Sequence, residues 1–249
     1  PETRIGETAM HEAITPFLEI VAEHLPEALK PWVDGGVLHA LVVIVFLVVL
    51  SYLGTRKLAD PPAASKLQIF WEWIYEALGN YFENIIGHGK GRDFLPLLGT
   101  FFLYILFMNM MIIFPGFSSP TARLGVTAAL GVFAFFCVQY YGFKYNGAKY
   151  LMHFVGYPLW LAPLNIPIHI IGELSRPLSL SIRLFGNIFG EDTMVMQLLG
   201  LSALLASYIW VPIPFQVAMV AFAIFGGFVQ ALVFTSLTAA YIGGAIAEH

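Results

Sequence analysis

Charge is scarce in this chain. Asp, Glu, Lys and Arg make up 11% of its 249 residues, against 58% hydrophobic ones. A soluble domain carries about 25% charged residues, so an ordinary water-soluble fold is excluded and the solvent that fits is lipid. Cysteine is nearly absent: Cys137 alone excludes an intrachain disulfide and any CxxC redox or zinc motif, and it is expected to pack as a small apolar residue within a helix. No HExxH, GxSxG or phosphate-binding loop occurs, so no hydrolase or nucleotide chemistry is written into the chain. The net charge of −4 provides no basic field for nucleic acid. Internal repeats and low-complexity linkers are lacking as well. Secondary transporters commonly carry such repeats, which weakens the alternative of a stand-alone ion channel or transporter without removing it.

What is present is a series of long apolar runs. A membrane span takes roughly 20 mostly apolar residues. Residues 36–55 form the first, rich in Val and Leu and free of Asp, Glu, Lys and Arg. Residues 94–114 and 124–143 form two more. The stretch 159–207 predicts one very long helix, and 215–247 another, separated by the Pro212 and Pro214 turn. Residues 67–86 differ: Glu72, Glu76 and Glu83 stand among aromatics, and Ile69, Phe70, Trp73, Ile74, Ala77, Leu78, Tyr81 and Phe82 recur at helical spacing. That pattern predicts an amphipathic helix lying in the membrane plane. Residues 1–35 are polar and acidic, lack the cationic start and apolar core of a secretory signal, and read as a short segment on the outer surface. The fold class expected is an all-α membrane protein with five crossings and one in-plane helix, residues 36–249 forming a single membrane domain.

Orientation follows the Lys and Arg bias. Arg56, Lys57, Lys66, Lys90, Arg92, Lys144 and Lys149 fall on one side; Arg4, Lys30 and Arg123 fall on the other. The N-terminus is therefore expected outside and the C-terminus in the cytoplasm. The fifth crossing, at about 45 residues and 1.5 Å per residue, runs to about 65 Å, roughly twice the 30 Å hydrocarbon layer. It must tilt steeply or bend, and its overlong partner makes a tilted hairpin with it.

This fifth helix concentrates the polar groups. Charged residues within a span are costly and are functional candidates by default. On a helical wheel, Arg183 shares one side with Arg176, Asn187, His169, Glu173, Glu191 and Ser179. Asp192 points to the opposite side. Gly186 and Gly190 lie on the flank of the same stripe and form a small-xxx-small pair that lets another helix come close. Bland readings stand beside the functional ones. Glu173 and Arg176, three apart, can simply pair; Arg176 can snorkel to the inner headgroups; His169 can be merely interfacial; Glu191 and Asp192 can border the outer water. His169 and Glu173, four apart, supply two metal ligands without a clear third. Arg183 resists a bland reading. Leu180, Ile182, Leu184 and Phe185 surround it, no acid lies at i±3 or i±4, and arginine does not deprotonate in proteins. Its counter-charge must come from elsewhere. In the last helix Gln230 is the one strongly polar residue near the middle, either an interhelical hydrogen-bonding group or part of a groove lining.

The run Ser179-Leu180-Ser181-Ile182-Arg183-Leu184-Phe185-Gly186-Asn187, preceded by Arg176-Pro177-Leu178, strongly resembles the signature of subunit a of F-type ATP synthases in its bacterial and chloroplast-like branch. Gln230-Ala231-Leu232-Val233-Phe234 through Ala240-Tyr241-Ile242 is similar to that family's last helix, and Phe107-Met108-Asn109 with the Pro115 turn resembles its third. The resemblance covers roughly Phe94 to the C-terminus. It implies a proton-translocating stator subunit, not an enzyme by itself, working against a rotating ring of c subunits. Arg183 falls on the essential arginine. Asn187 and Gln230 fall on polar positions beside it, and Ser179 falls toward an inner half-channel. Asp192 falls on the outer half-channel acid, with Glu191 beside it to share the task. Glu173 is the candidate inner acid. A histidine expected seven residues before the glutamine is Ala223 here, so that pairing is absent. The implied ion path runs from Asn109, Glu191, Asp192 and Gln230 on the outer side to His169, Glu173, Arg176 and Ser179 on the inner side, with Gly186 and Gly190 against the ring. The implied partners are the c ring, b-type peripheral-stalk subunits and the lipid bilayer in a hetero-oligomeric complex. No cofactor or metal is implied. The location implied is a bacterial plasma membrane, ahead of an organelle inner or thylakoid membrane.

Overall fold

A computed structural model describes residues 35–55, 66–87, 89–113, 119–150, 162–209 and 215–247. The polar segment expected over 1–35 therefore lies outside the described residues except for Gly35, and so do the Pro115 turn and the turn at Pro212 and Pro214. The described elements are helical: α1 (Gly35–Thr55), α2 (Lys66–Ile86), α3 (Leu95–Met110), α4 (Leu124–Asn146), α5 (Ala162–Ile209) and α6 (Phe215–Ile246), with short 3-10 turns between some of them. No strand occurs among the described residues.

Helices are what lipid permits. Hydrocarbon offers no hydrogen bonds, so each spanning segment must satisfy its own backbone. Among the described residues, four stretches are long and apolar enough to cross a membrane: Val37–Thr55, Gly91–Ile113, Leu124–Asn146 and Val217–Ile246. Burial confirms the solvent. Along α1, Leu41, Val45, Phe46, Val48 and Val49 are exposed while His39, Ala40, Val43 and Gly54 are buried. A large apolar face of this kind would aggregate in water; in a bilayer it is solvated. The molecule is an all-α membrane protein.

Helix α2 carries Ile69, Phe70 and Trp73 exposed and Phe82 fully buried. Its length is 21 residues but its three glutamates separate it from the apolar spans. Helix α5 is 48 residues long and continues through Pro167 and Pro177. Proline in a helix interior removes a backbone donor and kinks the axis. Just after Pro177, Ser181 Oγ donates to the Pro177 carbonyl at 2.7 Å, one turn back on the same helix. In α6, Thr235, Ser236 and Thr238 likewise donate to carbonyls four residues back, at 2.7, 2.6 and 2.9 Å. That disposes of hydroxyls that hydrocarbon could not solvate.

The chain forms two compact units. The first comprises residues 1–48, 104–126 and 185–230, so among the described residues it holds the start of α1, the end of α3 with the turn after it, and the adjoining parts of α5 and α6. Within it, Phe46 packs on Phe107 with ring centroids 5.4 Å apart, and Tyr104 donates to the Ala40 carbonyl at 3.4 Å.

The second unit comprises residues 49–103, 127–184 and 231–249. Its core joins Phe82, Phe94, Leu95, Leu98, Val138, Tyr150, Ala239, Ile242 and Ile246. Gly131 of α4 lies directly on Ser181 and the Pro177 carbonyl of α5, where a side chain would collide. Cys137 is half-buried in α4, in keeping with a packing role.

Candidate functional site

In the first unit a polar cluster is assembled from three helices and a turn. Asn109, at the end of apolar α3, is buried. Its Nδ2 donates to the Gly227 carbonyl of α6 at 2.9 Å. Thr121 Oγ1 donates to Asn109 Oδ1 at 2.7 Å, and Ser119 Oγ donates to the Asn109 carbonyl at 3.2 Å. The Ser119 backbone N–H in turn donates to the Asp192 carboxylate of α5. Asp192 Oδ1 is buried and has no protein hydrogen-bond partner among the described residues. Glu191 takes a different place. Its Oε1 lies where a side chain on Gly226 would sit, so the carboxylate rests on the bare α6 backbone. Asn187 Nδ2 donates to Gln230 Oε1 at 2.7 Å, and Gln230 is buried. The interhelical hydrogen bond expected of Gln230 is thus present, with Asn187 as its partner. Close approach by glycine matters here: a methyl group on Gly227 would come within 2.9 Å of Asn109 Cβ.

In the second unit a separate polar cluster surrounds Glu173, which is buried. Arg176 Nη1 meets Glu173 Oε1 at 2.5 Å, and Gln139 Nε2 of α4 donates to Oε2 at 3.1 Å. The Arg176 guanidinium also sits 4.9 Å from the centroid of the Tyr241 ring, a favourable stacking for a planar cation. Tyr150, just past the C-terminal end of α4, is hydrogen-bonded to Gln139. Burial and the nearby Glu173 carboxylate push its phenol up from the ordinary range, opposed by Arg176 and the Gln139 bond. The pairing of Glu173 with Arg176 is therefore the observed one. His169 is half-buried on the same helix, and Ser179 is exposed.

Arg183 belongs to the second unit and is exposed. Among the described residues it makes no ion pair with any acid. Its exposed neighbours on α5 within that unit are Ser179, one turn back, and Ile182. Leu180 and Leu184, by contrast, are buried. In the first unit Gly186 is exposed and Gly190 half-exposed, and a methyl group on either would meet nothing within 4 Å.

Several participants were not evident from sequence. Thr121 and Ser119 lie in a turn with no periodicity to mark them. Gln139, Tyr150 and Tyr241 sit on otherwise apolar helices, and only packing reveals that they converge. Gln139 could have been noticed as a lone amide in α4, the same signal that picked out Asn109 and Gln230.

Fold and site together define an integral membrane protein that carries a cation without a counter-ion, among the described residues, on an apolar exterior, together with two buried polar clusters. A family model described as ATP synthase A chain matches residues 37–243. ATP synthase subunit a 1 of Syntrophotalea carbinolica is 40% identical over 238 residues, covering 93% of this chain and 97% of that protein. ATP synthase subunit a of Trichlorobacter lovleyi is 39% identical over 214 residues, covering 86% and 88%. That of Geobacter sulfurreducens is 38% identical over 213 residues, with the same coverages of 86% and 88%. The chain belongs to the ATP synthase A chain family.

Proposed function

We propose that this chain is the proton-translocating stator subunit of the membrane sector of an F-type ATP synthase, providing two aqueous half-channels separated by Arg183 against a rotating c ring. The observation that carries the reading is Arg183 itself. A permanent cation with no counter-ion among the described residues, exposed on a helix of a membrane protein, costs too much to leave facing lipid. A ring that brings its own carboxylates past this face supplies the missing charge.

In this mechanism a proton enters from outside through the polar cluster of Asn109, Glu191, Asp192 and Gln230 and neutralises a ring carboxylate. The neutral site can then pass through lipid, where an ionised one would be very costly. After nearly a full turn it meets the inner groove lined by His169 and Ser179 and gives up its proton. Glu173, the candidate inner acid, stands there paired with Arg176. The bare carboxylate is drawn past Arg183, whose charge also repels a cation leaking directly between the half-channels. The drive is about 2.3 kcal/mol per charge per 100 mV of membrane potential. The chain acts within a multi-subunit complex, with b-type stalk subunits holding it against rotation. It lies in a bacterial plasma membrane with its N-terminus outside and its C-terminus cytoplasmic.

The ring face is tested at its glycines. Gly186→Trp and Gly190→Trp add bulk at positions where an added Cβ meets nothing within 4 Å among the described residues. Subunit content in the membrane should stay normal while ATP-driven proton pumping falls several-fold, since forcing bulk into a packed contact costs about 1–3 kcal/mol. Normal pumping with tryptophan at both positions would rule this face out as the one the ring sweeps.

A further inference from the structure

The last four carbonyls of a helix have no partner within it, and hydrocarbon supplies none. At the end of α6 one of them is served from another helix. Asn146, the last residue of α4, donates from Nδ2 to the Ala245 carbonyl at 2.8 Å and to the Ala247 carbonyl at 3.5 Å. Ala245 lies one turn beyond Tyr241, whose ring faces the Arg176 guanidinium, so this bond holds the turn that presents the ring. Gly147, at φ +55°, then reverses the chain, a left-handed conformation that favours glycine. The return brings Tyr150 back against α4. Its ring is buried beside Gly142, where a methyl group would come within 2.6 Å of it, and meets Phe143 edge-on at 5.0 Å. Its hydroxyl is bonded to Gln139, and Gln139 Nε2 donates to Glu173 Oε2 at 3.1 Å. Arg176 takes the other oxygen, Oε1. The segment 146–150 therefore supports one ion pair from both sides: Arg176 through Tyr241, and Glu173 through Gln139.

We infer that the turn ending α4 positions the Glu173–Arg176 pair, with Tyr150 and Asn146 as its two positioning residues. The inference rests on the reading of Glu173 as the inner acid and assigns what orients it. Both residues act through another side chain. A carboxylate that exchanges protons must face its partner within hydrogen-bond reach. Glutamine is among the side chains with the most rotamer freedom to lose, and the bond to Tyr150 confines Gln139 to the rotamer that meets Glu173. Residue 142 must be glycine for this arrangement, because a side chain there displaces the Tyr150 ring. The Asn146 contact is specific in its polarity: it calls for a donor, and the end of α6 is the negative pole of that helix.

The test uses the assembled enzyme in inverted membranes, with proton-driven ATP synthesis per assembled complex and thermal stability read side by side. Tyr150→Phe keeps the ring in its seat and removes only the hydroxyl. It should lower the rate about fivefold, well short of the roughly hundredfold that a misplacement of about 1 Å can cost. Gly142→Ala, which displaces the ring, should lower the rate by as much and destabilise the complex besides. Phe143→Leu removes a ring contact and no hydrogen bond, so it should lower stability and leave the rate unchanged. In a Gln139→Leu background Tyr150→Phe should cost nothing further, since the two side chains act in series. Asn146→Asp keeps the shape, but once ionised it cannot donate and it sets a negative charge at the negative pole of α6. Its rate should fall below that of Asn146→Ala, while Asn146→Lys, a cationic donor, should stay above both. A rate loss in Phe143→Leu equal to that in Tyr150→Phe overturns the assignment by reducing it to packing. Full additivity of Tyr150→Phe with Gln139→Leu overturns it too, as does an Asn146→Asp variant as active as the parent. Glu173→Gln in the same membranes separates the two levels. If it leaves the rate per complex at the parental value, the inner-acid reading fails. If it slows synthesis while Tyr150→Phe and Asn146→Asp are both silent, only the present assignment fails.

Discussion

Arg183→Ala abolishes proton-driven ATP synthesis in the assembled complex, with a fall of about 1000-fold. The magnitude follows from the charge. A carboxylate about 4 Å from a guanidinium gains about 4 kcal/mol at an effective dielectric of 20, and each 1.36 kcal/mol of barrier is worth tenfold in rate. No acid of this subunit is paired with Arg183 among the described residues, so no internal salt bridge is broken by the substitution and the fold should persist. The partial exception is instructive. Arg183→Lys keeps the charge but loses the planar fork and can deprotonate when desolvated, so it should retain only a residual rate. Passive proton permeability is the second readout: without a fixed cation between the half-channels, the alanine variant should leak more than the parent. Synthesis at the parental rate in Arg183→Ala, with the variant subunit verified in the complex, would falsify the mechanism.

Arg176→Gln carries the largest expected loss of stability. Glu173 has a side chain only 7% exposed, and its partner Arg176 is 37% exposed. Removing one member of a buried pair costs about 3–5 kcal/mol. The half-open guanidinium is partly screened by its surroundings, so about 2 kcal/mol is the expected loss here, or roughly 30-fold in the folded ratio. The stacking of Arg176 on Tyr241 is lost as well. The sharper comparison is with the double substitution Glu173→Gln with Arg176→Gln. Replacing both partners leaves no stranded charge, and Gln139 can still bond to the amide. The double variant should therefore melt closer to the parent than Arg176→Gln does. Were Glu173 instead a freely titrating relay, Glu173→Gln alone would slow proton exit without affecting the melting temperature.

The sequence was most informative where lipid imposes the rule. Once the scarcity of charge fixed the solvent, apolar run length predicted the helices. The crossing expected over 124–143 is the helix Leu124–Asn146, and that expected over 215–247 is Phe215–Ile246. The helix expected over 67–86 is Lys66–Ile86, with Ile69, Phe70 and Trp73 exposed. Arg183 was legible for the same reason. A permanent charge in an apolar run stands out without any knowledge of its neighbours. Pairings were legible only when local: Glu173 with Arg176 is an i, i+3 contact, so helix geometry was enough to suggest it.

Partners far apart in the chain were beyond such reasoning. Thr121 reaches Asn109 across a turn, Gln139 reaches Glu173 from another helix, and the niche of Glu191 is made by the missing side chain of a glycine 35 residues later. By itself, then, the sequence determined the solvent, the helices, the lone cation and the family, because each depends on composition, on local period or on a contiguous motif. Tertiary structure alone decided which polar side chains are tied down and which are left open to exchange, because a buried hydrogen bond is a contact between segments and leaves no mark on either one alone.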